Sequence, residues 1–181
     1  MITDTKAREL GFIDFEEMLL YQDICGDGLY LAELFEEENL EEIGKEFTKK
    51  DYEKYIKSHG LVELFNKVKG LPLLDRMIEI YIYYANGFSL SKEAEKIFSF
   101  HLQEAKELYD GEKEKEYLKQ IDRARNMKGE YFRKMHYIES EVMLRLPSEE
   151  VKFYNAIKEI SSALLDKKDD SKNNNVSFSS K

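Results

Sequence analysis

The stretch 71–86 constrains this chain more than any other, because it is apolar on nearly every side when wound as a helix. Leu73, Leu74, Met77, Ile78, Ile80, Tyr81, Ile82, Tyr83 and Tyr84 leave no polar face wide enough to be solvated. Such a segment has to be wrapped, so it is expected to be the central, most buried element. Its rival is a strand over 78–84, since Ile and Tyr favour sheets. With no alternating partner strand in the sequence, the helix is preferred.

The punctuation elsewhere is that of helices. Asp14 with Glu17 three residues on, behind apolar Ile13, is a capping-box pattern that opens a helix to about Asp23. Cys25, Gly26, Asp27 and Gly28 then break it. Leu31, Leu34 and Phe35, followed out of phase by Leu40, Ile43 and Phe47, predict two short helices kinked at Asn39. Thr48 and Asp51 cap a helix lined by Tyr52 and Ile56 and ended by His59 and Gly60, where a cationic His59 would complement the helix dipole. Leu61, Leu64, Phe65 and Val68 mark another, closed by Gly70.

Asn86 and Gly87 predict a C-cap, with Ser89 or Ser91 opening a further helix that carries Ile97, Phe98, Leu102, Ala105 and Leu108 to Asp110 and Gly111. From 112 to 146 the pattern stays helical, with Leu118, Ile121, Met135, Ile138 and Val142 facing inward and Gly129 as an interruption. Pro147 closes it. Ser148 caps a last helix bearing Val151, Tyr154, Ile157, Ile160, Leu164 and Leu165, and the polar segment 167–181 is expected to be disordered. These readings predict an all-α fold: a single compact multi-helix domain over 1–166, short helices in an N-terminal tier, and longer antiparallel helices after residue 70.

Charge divides the chain unevenly. Residues 1–47 hold 14 Asp and Glu against 3 Lys and Arg, a net of −11, whereas 48–181 hold 23 against 25, a net of +2, which together give the −9 of the 181-residue chain. Glu33/Glu37 and Glu38/Glu42 place like charges four apart, costing a helix a few tenths of a kcal/mol each. A solvated acidic face would account for the excess. The functional alternative is a surface formed by Glu33, Glu36, Glu37, Glu38, Glu41 and Glu42 that engages a basic surface of a protein partner, aided by electrostatic steering. Richness in Lys, Glu, Ile, Tyr and Asn is a compositional association with low-GC bacteria and their mobile elements. Inhibitors of nucleases and other nucleic-acid-binding proteins, anti-CRISPR proteins among them, belong to that kind, and such inhibition is the concrete form of this expectation.

Other chemistries find little footing. His101/Glu104 and His136/Glu139 each share a helical face and could build a metal-dependent bundle enzyme, but their order reverses the Glu-x-x-His of di-iron bundles. No glycine-rich phosphate loop or serine elbow is present. Cys25 lies between Asp23 and Asp27, which would raise its pKa, so a buried structural thiol is expected rather than a nucleophile. The segment 113–134 carries Lys113, Lys115, Lys119, Arg123, Arg125, Lys128, Arg133 and Lys134 interleaved with Tyr117, Tyr131 and Phe132, the one support for a nucleic-acid-binding regulator. Intervening acids and the acidic balance of the chain argue against direct nucleic-acid binding. No cofactor is expected. The absence of a secretory h-region, and of an apolar run reaching the ~18 residues a membrane helix needs, predicts a cytoplasmic protein with no membrane partner.

Overall fold

The computed structural model describes residues 3–26 and 46–173, with side chains described to residue 162. Every regular element among them is helical: α1 (Asp4–Glu9), α2 (Phe15–Cys25), α3 (Lys49–Ser58), α4 (Val62–Val68), α5 (Leu73–Glu107), α6 (Gly111–Arg145), a 3-10 turn (Pro147–Glu149) and α7 (Glu150–Asn173). The all-α expectation holds. The two predicted short helices kinked at Asn39 lie outside the described residues, as does 174–181 of the expected tail. Over 167–173 the backbone continues α7.

Local caps explain the short elements. Asp14 accepts from the Glu17 amide at 2.8 Å, and the Glu17 carboxylate reaches back to the Ile13 amide at 2.6 Å. Thr48 and Asp51 form a reciprocal capping box. The α2 and α3 faces meet in an aromatic nest of Phe12, Tyr21 and Tyr52, with Phe65 of α4 at 4.9 Å from Tyr21. Edge and tilted geometries of this kind add to the burial they accompany.

The 35-residue helices α5 and α6 form an antiparallel hairpin, each about 52 Å long at 1.5 Å per residue. Its lower half is the core of the molecule. Met77, Ile80 and Tyr84 of α5 and Ile138 and Val142 of α6 are fully buried, with α1 to α4 and Phe153 of α7 gathered around them. The segment 71–86 is thus the wrapped element its composition demands.

One sequence expectation is overturned here, and the question the sequence leaves open at Gly129 is answered. Gly87 is no C-cap, nor does Ser89 or Ser91 start a helix: α5 runs through all three. A Cβ at Gly87 would stand 2.8 Å from the Tyr131 ring, so glycine is there to let α6 approach. Ser91 is buried, and small Ala105 and Ala124 are buried further out in the hairpin. Gly129 does not interrupt α6 either, since one glycine costs a long packed helix only about 1 kcal/mol. The turn at the tip takes its left-handed residue from Tyr109, at φ 54°, while Gly111 already begins α6.

Inward faces also shift. Leu118 is 47% exposed, and Val151 and Tyr154 of α7 face outward while Phe153, between them, is the buried anchor. Along α7 the phase follows which residue meets the core, here Phe153 edge-on to the Tyr81 ring at 5.5 Å.

Candidate interaction surfaces

All six acidic candidates, Glu33, Glu36, Glu37, Glu38, Glu41 and Glu42, fall outside the described residues. The points between which they hang do not. On one side α2 ends in fully buried Ile24 and Cys25, and the Tyr84 hydroxyl donates to the Ile24 carbonyl. On the other, Glu46 pairs with Lys6, Phe47 packs edge-on against Tyr52, and the Lys49 amide donates to the Leu10 carbonyl at 2.9 Å. Both ends of 27–45 are therefore fastened to the same core.

Beneath the α2 end lies a charge cluster that sequence reasoning missed. Asp23 is fully buried, its Oδ2 3.0 Å from Arg76 Nη2 and its Oδ1 bonded by Arg145 Nη2, while Arg145 Nε sits 2.9 Å from Glu141. The 3.0 and 2.9 Å contacts are ion pairs bent away from hydrogen-bond geometry, and Arg76 Nε and Arg145 Nη1 find no hydrogen-bond partner among the described residues. Burial pushes the Asp23 carboxyl up to about 6, with Arg145 and Arg76 pulling the other way. At neutral pH it is ionised and ties α2 to both long helices. Glu141 and Arg145 at i, i+4 were its one local trace in the sequence.

A second buried cation, Lys134, sits with its ammonium 5.0 Å from the centres of both the Tyr55 and Tyr84 rings. It donates to the Tyr55 hydroxyl at 2.6 Å and pairs with Glu130 at 3.0 Å, the pair visible in the sequence. The Cys25 thiol is pushed up to about 12, with burial as the cause and Lys134 opposing it. The direction matches expectation, with burial rather than Asp23 behind it, while Asp27 lies outside the described residues. His59 caps α3 as expected, its Nδ1 3.0 Å from the Tyr55 carbonyl.

Half of the eight cations of the basic segment 113–134 are held within the fold. Lys134 is a core residue, Arg125 and Lys128 share Glu95 of α5, and Lys113 pairs with Asp110 at the helix start.

The proposed metal cluster is not assembled. His101 and His136 each contact the Glu three residues on, at 2.9 and 3.1 Å. Yet His101 stacks on Tyr117, and His136 lies nineteen residues further along α6, roughly 28 Å away. Among the described residues no group of three or more His, Cys, Asp and Glu is placed to hold a metal ion, and no helix is long and apolar enough to cross a membrane.

Fold and surfaces together define the class: an all-helical protein with a many-helix head and a projecting two-helix arm. Comparison with protein-family models, curated proteins and solved structures finds no match to this chain.

Proposed function

We propose that this chain is a non-enzymatic, cytoplasmic binding protein whose acidic segment, Glu33 to Glu42, occupies a basic surface of a protein partner. The partner's surface is one that otherwise holds nucleic acid, so the chain acts as an inhibitor of a nucleic-acid-binding protein or nuclease, as mobile-element proteins of the anti-CRISPR kind do. The observation that carries this reading is the charge balance. With −11 in the first 47 residues and +2 in the rest, no internal pairing can cancel the excess. Many cations of the body are moreover held by its own carboxylates, as at Glu95, Asp110 and Asp23. The acidic segment leaves and rejoins a buried core at both ends, which limits the ordering cost of docking it.

The test is capture of partners from the native host with the wild type and with a variant in which Glu36, Glu37, Glu38, Glu41 and Glu42 are changed to Lys. The wild type should retain a basic protein, identified by mass spectrometry, that the variant loses while keeping its helical circular dichroism and melting temperature. Retention by the folded variant would reduce the acidic segment to a solvated face.

A further inference from the structure

The outer half of the α5–α6 arm carries exposed apolar residues that nothing among the described residues covers. Among the described residues, the hydrogen bonds, ion pairs and ring contacts of 88–129 run only along or between these two helices. Beyond the seam that joins them, α5 carries a second stripe. Leu90, Ala94, Ile97, His101 and Leu108 recur at steps of four, three, four and seven, the spacing of a helix that packs on another helix. Leu90 is 68% exposed, Ile97 50% and Leu108 75%. Leu90 and Ala94 border a shallow groove of about 260 Å³ floored by Ala124 and Met127 of α6.

Charge indicates what covers this stripe. Residues 88–129 contain nine Asp and Glu and nine Lys and Arg, a net of zero, so the entire −9 of the chain lies off the arm. A second copy is repelled from every approach that brings the acidic parts together. It is not repelled from the arm. If two arms lie antiparallel, the acidic heads stand at opposite ends, separated by the length of 88–107, about 30 Å, several Debye lengths at physiological salt. The uncovered face is about 30 Å long and two helices wide, roughly 600 Å² in plan, which approaches the ~800 Å² per partner of a stable interface.

We propose that the protein is a homodimer in which the stripe running from Leu90 through Ala94 and Ile97 to Leu108 on each arm packs against its counterpart, head to tail, to close a four-helix bundle. This is independent of the acidic segment's role.

Sedimentation equilibrium of the full chain at micromolar concentrations should give twice the chain mass. Leu90→Glu with Ile97→Glu, both at exposed positions, should weaken association at least about tenfold without loss of helical circular dichroism. Should that variant fail to fold, Leu90→Ala with Ile97→Ala makes the same test more mildly. A spin label at Tyr109→Cys, which is 93% exposed while native Cys25 is buried, should report a label-to-label distance on the order of 30 Å. A monomeric wild type, a dimer indifferent to both variants, or labels in close contact as in parallel arms would each overturn the proposal.

Discussion

Gly87 and Gly129 each lie inside a continuous long helix, and alanine distinguishes their roles. At Gly129 a Cβ meets nothing within 4 Å, so Gly129→Ala should raise stability by up to about 1 kcal/mol through helix propensity alone. At Gly87 it meets the Tyr131 ring, which itself packs on the core. Overpacking of that kind costs about 1–3 kcal/mol, so Gly87→Ala should lower stability despite the better helix former. Chemical denaturation of both variants measures the pair. Asp23 supplies a pH test. Its folded-state pKa of about 6 exceeds the ordinary 3.8, so folding favours the protonated form between those values. Its contribution is full below about pH 3.8 and is lost as pH rises through about 6. The stability of the wild type relative to Asp23→Asn should therefore rise as pH falls across this window, by up to about 3 kcal/mol. A slope of the opposite sign would mean that the two guanidiniums outweigh burial.

Among the described residues of α7, Phe153 is the one fully buried side chain, with Ile157 packed beside the core. Phe153 is fully buried against Tyr81 whereas Val151 is 73% exposed. Phe153→Ala should cost about 3–5 kcal/mol and Val151→Ala less than about 0.5, read by thermal or urea unfolding. That contrast also marks the limits of pattern reading. The helices themselves were legible, because Asp14 with Glu17, Thr48 with Asp51, and the all-round apolar run 71–86 are local signals with local causes. Gly87 was misread because a glycine after Asn looks the same whether it ends a helix or admits a neighbour, and the neighbour, Tyr131, is remote in sequence. The buried charges were mostly invisible for the same reason. Arg76 interrupts an apolar run and Lys134 sits in a basic one, and only the folded α2 and α3 bring Asp23 and Tyr55 to them. Leu118, Ile97 and Leu108 look like core residues in the sequence, since an apolar stripe does not say whether it faces its own chain or another.

Across the whole molecule, charge and packing are segregated. The acidic excess belongs to the first 47 residues, whose described parts join the aromatic and apolar core at Cys25 and Phe47, while the neutral arm projects with its apolar stripe exposed. The acidic candidates were legible as a charge density, yet their arrangement lies in 27–45, outside the described residues. If that density docks on a basic surface, association is driven by long-range attraction, and such rates fall steeply with salt. The most direct measurement is the association rate constant of the captured partner as a function of ionic strength, for wild type and for the variant with Glu36, Glu37, Glu38, Glu41 and Glu42 changed to Lys. The account predicts a wild-type rate that drops at least about tenfold from low to high salt and a variant that binds slowly or not at all. A wild-type rate indifferent to salt, or a variant that associates as fast as the wild type, would contradict it.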